Sequence, residues 1–282
     1  RGVDAVLVAP GRIDRFREDT ALQDYILESG ARILAANNVV DTDRNVIEGS
    51  PSLKEVSIED LLPRDEIRVD LESVAESLRG RRVLITGSAG SIGSEIVRQV
   101  ASFGPSSLML IDSAETPQHE IRLMMAKDFP GVPCSTVVTS IAKRDRMESI
   151  FRSFRPEYVF HAAAYKHVPM MEDNPCESVQ NNVWGTKVLA DLSVECGVSR
   201  FVMVSTDKAV NPTNVMGCSK RICEIYVQSL NKAERDGAVK GETQFITTRF
   251  GNVLGSNGSV IPLFEKQIKA GGPGTVTDPN II

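Results

Sequence analysis

Val83-Leu84-Ile85-Thr86-Gly87-Ser88-Ala89-Gly90-Ser91-Ile92-Gly93 is the stretch that decides the fold. An apolar run enters three glycines spaced Gly-x-x-Gly-x-x-Gly, and Ile92, Ile96, Val97, Val100 and Phe103 then recur at the helical period. A buried strand turning sharply into a helix is the arrangement that holds a dinucleotide. Gly87 permits the turn, Gly90 lets the backbone approach a pyrophosphate, and Gly93 lets the helix pack closely. The helix amino end, at Ser91 and Ile92, presents backbone N–H groups and a partial positive charge. A glycine-rich loop without a ligand is the alternative, and the strand before and helix after argue against it.

Working outward, further strands are expected at 107–112, 136–140, 158–163, 201–206 and 245–250, with helical patterns between them. Most of these runs are unbroken and apolar, as parallel strands covered on both faces should be. The expectation is an α/β fold with a Rossmann-type doubly wound parallel sheet, its ligands at the carboxyl ends of the strands. Asp112 ends the second strand, 25 residues past Gly87. A carboxylate there accepts hydrogen bonds from an adenosine ribose and repels a 2′-phosphate, which favours NAD over NADP. Asp112 can equally cap the segment that follows it.

Before the glycine turn the pattern is different. Ala5–Ala9, a helical stretch with Phe16, Leu22, Tyr25 and Ile26, and Arg32–Ala36 read as strand, helix, strand. One such unit cannot close its own core, so residues 1–40 read as the tail of an upstream α/β domain. Residues 41–80 read as a polar connector ending in a short helix, capped by Asp70, with Leu71, Val74 and Leu78 on one face. Residues 81–282 then form the nucleotide-binding domain, with a substrate lobe that is incomplete at its carboxyl end. The chain begins at Arg1 and stops at Ile282, and we read it as a piece of something longer.

Composition narrows the class. Lys plus Arg is 32 against 37 Asp plus Glu, a net charge of −5, which argues against a nucleic-acid partner bound through a basic face. No apolar run reaches the roughly 18 residues that cross a bilayer. The five cysteines (Cys134, Cys176, Cys196, Cys218, Cys223) include no Cys-x-x-Cys pair. They fit a reduced compartment, and with three histidines no metal-ligand cluster can be assembled.

Five further segments carry chemistry-bearing residues: His161-Ala-Ala-Ala-Tyr-Lys-His-Val-Pro169, Asn182-Val-Trp-Gly-Thr186, Ser205-Thr-Asp-Lys208, Met216-Gly-Cys-Ser-Lys220 and Arg249-Phe-Gly-Asn-Val-Leu-Gly255. Together with Thr86–Gly93, all of these but Met216–Lys220 resemble the extended short-chain dehydrogenase/reductase superfamily. More narrowly, they resemble the polysaccharide-biosynthesis (CapD-like) nucleoside-diphosphate-sugar 4,6-dehydratases. The resemblance runs from about Asp60 to the end of the chain.

That resemblance implies an enzyme, a hydro-lyase acting on a nucleotide sugar of the UDP-N-acetylglucosamine type. C4 is oxidised, water is eliminated across C5 and C6, and the hydride returns to C6, with one NAD serving throughout. The implied catalytic residues are Thr206 at the C4 hydroxyl, Asp207 as acid, Lys208 as base and Lys220 at the nicotinamide ribose. At neutral pH those acid and base roles are inverted for free side chains, and a desolvated site would be needed to reverse both. An ordinary surface ion pair is the other reading of Asp207 and Lys208.

The implied cofactor contacts are Gly87, Gly90, Ser91, Ile92, Gly93, Asp112, Ala162, Ala163 and Lys220. For the substrate they are Lys166, His167, Asn182, Arg249, Asn252 and Ser259. His161 reads as a packed residue at a strand end, and Arg249 could be structural instead. Two departures stand out. Met216 occupies the place of the superfamily's tyrosine base, and Ser140 the place of an aspartate that contacts adenine. The branch with this Met is membrane-anchored. The expectation is therefore a soluble piece of a parent held on the cytoplasmic side of the membrane, its partners being its nucleotide-sugar substrate and copies of itself. The rival readings are a UDP-sugar 4-epimerase on the same scaffold and a non-catalytic NAD-binding module.

Overall fold

The computed structural model describes residues 3–9, 12, 15–16, 19–36, 53–55, 70–251, 253, 267 and 270. The chain divides into two compact units, Arg1–Val69 with Val260–Ile282, and Asp70–Ser259. In the first, Ala5–Val8 (β1) and Arg32–Ala36 (β2) pair in parallel, joined through the helix Thr20–Glu28 (α1). Asp19 starts α1 by accepting the Leu22 N–H at 3.0 Å. Val8, Phe16, Ile26, Ala31 and Ile33 form its small core. Leu53–Glu55 (β3) adds an antiparallel strand to the free edge of β2. This strand lies within the stretch expected to be a polar connector, and its three residues are too few for an alternation pattern to register.

The second unit opens with Leu71–Leu78 (α2), whose amino end Asp70 caps through the Ser73 N–H. Only Leu78 of the expected apolar face is buried; Leu71 and Val74 face solvent. The chain continues as Arg82–Thr86 (β4), Ser91–Ser102 (α3), Ser107–Asp112 (β5), Glu115–Asp128 (α4) and Cys134–Val138 (β6). Arg144–Phe154 (α5) and Tyr158–His161 (β7) follow, then Val168–Asp173 (α6), Pro175–Ser178 (α7), a π-helical turn Val179–Trp184 and Gly185–Glu195 (α8). Arg200–Thr206 (β8) runs into a 3₁₀ turn, Asp207–Ala209; Val215–Arg235 (α9) and Gln244–Phe250 (β9) complete the unit.

The strands lie in the order β6-β5-β4-β7-β8-β9 and every pairing is parallel. The order reverses between β4 and β7, which opens the crevice where a doubly wound sheet binds its ligand. Side chains alternate across the sheet. Leu84 faces a core with Met147 and Phe151 of α5, Leu189 of α8 and Val227 of α9. Its neighbours Val83 and Ile85 face the other core, with Val97 and Val100 of α3 and Ile121 of α4. Covering on both faces is why these strands read as unbroken apolar runs.

Two expected strands are displaced. β6 starts at Cys134, ahead of its apolar run, and ends at Val138, so Thr139 and Ser140 lie past it. β7 stops at His161 because the next residues leave the sheet to line the glycine turn.

Candidate functional site

Register sets the site. Thr86 pairs with Ile111 on one side and His161 on the other, His161 with Met203, and Thr206 with Phe250. The carboxyl ends of five parallel strands therefore share one rim. It carries Gly87, Asp112, Ala162, Asp207 and the β9 end with Arg249.

At the rim's centre Gly87 has φ +67, and a Cβ there would come within 2.5 Å of the Ala163 nitrogen. A Cβ on Gly93 would fall 1.9 Å from the Gly87 carbonyl oxygen. Gly93 thus lets the helix close onto the turn itself, where the sequence had suggested packing on the strand. Gly90 is exposed and begins α3 with no side-chain cap, so the first N–H groups of that helix have no side-chain partner from it. Ser91 and Ile92 occupy its first turn, half-buried. The fully buried Ser88 donates to Gln118 Oε1 at 2.8 Å, and Gln118 Nε2 donates to the Leu110 carbonyl, tying the turn to α4 and β5. Gln118 escaped the sequence reading, since a polar residue in a helix carries no such signal.

Asp112 takes the capping part and also braces the glycine turn. One carboxylate oxygen accepts the Ala89 N–H at 3.0 Å, and the other caps the next segment by accepting the Ala114 N–H at 2.9 Å. Ser140 accepts the Ala142 N–H at 3.2 Å.

His161 is a packed residue, with no exposed surface. Its Nδ1 meets Thr86 Oγ1 at 2.8 Å and its Nε2 meets Thr186 Oγ1 at 2.9 Å. Burial, aided by the positive charge of Lys220, lowers its pKa to about 3, so the ring is neutral.

Ala162 and Ala163 follow, half-buried against the glycine turn, and Lys166 and His167 are exposed on the loop leading to α6. Asn182 departs from its expected role as a substrate contact. It is 1% exposed in the π-helical turn, accepts the Tyr165 N–H at 2.8 Å, and donates to the Tyr165 carbonyl and to Ser219 Oγ. With its amide engaged inside the protein, it clasps the 162–167 loop from beneath. A polar motif residue reads the same in sequence whether it faces a ligand or a backbone.

Beyond β8, Thr206 Oγ1 donates to Asp207 Oδ1 at 2.8 Å, and Lys208 Nζ lies 3.2 Å from the same oxygen. The Asp207 side chain is 54% exposed and that of Lys208 37%. Partial burial pushes the Asp207 pKa up, but the Thr206 and Lys208 hydrogen bonds and the Lys208 charge outweigh it and hold the carboxyl below its ordinary range. The desolvation that would be needed to keep Asp207 protonated is too weak here, because the pair is largely open to solvent. Gly217 brings α9 onto this turn: a Cβ on it would lie 2.3 Å from the Lys208 carbonyl oxygen. Met216, in the tyrosine place, is buried.

Lys220 is only 4% exposed, and among the described residues no hydrogen bond or ion pair engages its ammonium. Burial lowers its pKa, while the neighbouring Cys223 and Glu224 act the other way. Arg249 is partly committed. Its Nε and Nη2 donate to the two oxygens of Glu224 at 2.8 and 2.6 Å, so this edge of the guanidinium is structural, while 40% of the side chain stays exposed. Asn252 and Ser259 lie outside the described residues. The described residues hold no cluster of three or more His, Cys, Asp or Glu able to bind a metal.

The helix end at Gly90 without a side-chain cap, the turn that tolerates no side chain at Gly87 or Gly93, and Lys220, buried and unpaired among the described residues, fit a dinucleotide. With the strand order, they define an extended short-chain dehydrogenase/reductase. Within that class the chain belongs to the polysaccharide biosynthesis protein family, whose model matches residues 83–282. It is 44% identical over 253 residues to the capsular polysaccharide biosynthesis protein CapD of Staphylococcus aureus, covering 89% of this chain and 41% of that protein. It is 35% identical over 193 residues to a UDP-N-acetylglucosamine 4,6-dehydratase (inverting) of Campylobacter jejuni, covering 68% and 54% respectively. A UDP-glucose 4-epimerase of Rickettsia rickettsii is similar too, at 33% identity over 71% of this chain and 57% of its own. Among solved structures, the Bordetella bronchiseptica enzyme WbmG in complex with NAD and UDP superposes with a TM-score of 0.53 at 26% identity, over 67% of this chain and 60% of that one. The chain thus spans about half the length of the curated relatives it matches. No helix among the described residues is long and apolar enough to cross a membrane.

Proposed function

We propose that the protein is an NAD-dependent nucleotide-sugar 4,6-dehydratase acting on a UDP-N-acetylglucosamine-type substrate in surface-polysaccharide synthesis. The observation that carries the reading is the Thr206–Asp207–Lys208 run, with a hydroxyl, a carboxylate and an ammonium in one hydrogen-bonded chain at the ligand end of the sheet. Its resemblance to a dehydratase that acts on UDP-N-acetylglucosamine supports the same substrate class. A carboxylate at Asp112 favours NAD over NADP.

NAD, when bound, supplies the two-electron acceptor that holds the C4 hydrogen between its removal and its return to C6. Thr206 relays the C4 hydroxyl proton to Asp207 Oδ1, 2.8 Å away. The low pKa of Asp207 suits this step, since the carboxylate starts ionised and becomes the acid by receiving that proton. Substrate covering the pair strips its water, which favours the neutral forms, and the Lys208 ammonium gives its proton to solvent. The amine of Lys208 then takes the proton from C5, acidified by the C4 ketone, while Asp207 protonates the departing C6 hydroxyl as water. Lys208 returns its proton to C5 when C6 is reduced. Every proton is accounted for, and Met216 is asked to carry none.

The epimerase relatives favour a second reading, in which C4 alone is oxidised and reduced. One experiment separates the two. The protein is incubated with NAD and UDP-N-acetylglucosamine, and the products are examined by mass spectrometry. A product lighter by one water is expected. An isomer of unchanged mass would favour the epimerase, and no product from NAD-loaded protein would remove both readings.

A further inference from the structure

Glu224 has no exposed surface, yet it is charged, and no step above uses it. It sits one helical turn after Lys220 on α9. Its oxygens accept from Ser205 Oγ at 2.7 Å, from both Nε and Nη2 of Arg249, and from Arg221 Nη1 at 3.0 Å. Ser205 immediately precedes Thr206, and Arg249 is the last residue but one of β9. One carboxylate thus joins the ends of two strands to the helix that carries Lys220. Burying an ion is costly, and apolar packing would join strand to helix with a smaller penalty, so the carboxylate calls for a reason beyond adhesion.

We propose that Glu224 is a positioning residue: its buried carboxylate locks the ends of β8 and β9 to α9, so that Lys220 and the Thr206–Lys208 turn address one bound dinucleotide and sugar together. The inference rests on the dinucleotide reading of this site. Among the described residues, the titratable groups facing Lys220 are His161 from β7, and Cys223 and Glu224 from α9 itself. His161 is neutral and Cys223 is a buried thiol, which leaves Glu224 as the negative charge that opposes the lowering of the Lys220 pKa by burial. Burial would raise the Glu224 pKa, but Arg249, Ser205 and Arg221 overcome it and bring it to about 2, so the charge persists throughout the working range.

The test measures NAD affinity against pH by titration calorimetry, with thermal unfolding in parallel, for the wild type, Glu224→Gln, Arg249→Gln and the double variant. Glu224→Gln should weaken NAD binding about tenfold or more, the scale of a lost charge-assisted interaction. It should also move the alkaline loss of affinity to lower pH. The double variant removes the stranded guanidinium and should recover thermal stability, while keeping the weakened affinity and the shifted pH midpoint. Recovery of both affinity and midpoint in the double variant would overturn the proposal, since Glu224 would then be only a counter-ion for Arg249. A wild type that binds no NAD would overturn the underlying reading and the proposal with it; a wild type that binds while Glu224→Gln matches it overturns the proposal alone.

Discussion

His161 Nδ1 lies 2.8 Å from Thr86 Oγ1, across the two strands between which the sheet order reverses. A second hydroxyl, that of Thr186, meets the other ring nitrogen at 2.9 Å. The ring is fully buried beneath the glycine turn, and its role is to hold β4, β7 and α8 in register under the site.

This has a consequence for acid stability. The His161 pKa is lowered from 6.5 to about 3 in the folded protein, so between those values the unfolded chain binds a proton that the folded one refuses. The stabilisation is fully present above pH 6.5 and is lost as the pH falls toward 3. Between about pH 6.5 and 5 the loss should be about 2 kcal/mol. Denaturant unfolding across that range should show the slope, and His161→Gln, which cannot titrate, should flatten it. An unchanged slope in the variant would assign the effect elsewhere.

Gly93→Ala should abolish dinucleotide binding, because the new methyl would meet the Gly87 carbonyl oxygen at 1.9 Å and force the turn open. Overpacking of this kind costs about 1–3 kcal/mol. Gly131→Ala is the control, since a Cβ there meets nothing within 4 Å. Thermal unfolding with and without NAD distinguishes the two.

Asn182→Ala should loosen the loop that carries Lys166 and His167. The Tyr165 N–H and carbonyl lose their partner, at a cost of about 1–3 kcal/mol. If the loop meets substrate, the KM should rise more than kcat falls. An Asn182→Ala protein with unaltered stability would contradict the clasp.

Lys208→Ala should retain NAD affinity and lose dehydration, because the base for C5 is gone while Lys220 and the glycine turn are untouched. Asp207→Asn should also stop the reaction, by removing the acceptor for the proton relayed through Thr206. Calorimetry with NAD and mass spectrometry of the products measure the two effects separately. Full turnover by Lys208→Ala would dismiss it as the base.

Much of this molecule is legible in one dimension. The apolar runs and glycine spacing announce a doubly wound sheet because burial on both faces and a sharp strand-to-helix turn leave local marks. β3 left none, being three residues long and dependent on the edge of β2 for its pairing. The displaced ends of β6 and β7 reflect neighbours, since where a strand stops depends on what the adjoining turn needs.

The site divides in the same way. Sequence by itself determined the class of fold and the glycine turn, because each rests on residue type and spacing along the chain, while the candidate acid and base came from the family resemblance. Only the tertiary structure decided that Asn182 faces a backbone, that Asp112 caps two segments at once, that one edge of Arg249 belongs to Glu224, and that Asp207 stands ionised in the open. The physical reason is that a hydrogen bond or a pKa depends on which groups share a volume. Residues 25 to 75 positions apart, such as Arg249 with Glu224 and Thr86 with His161, meet only when the fold brings their elements together.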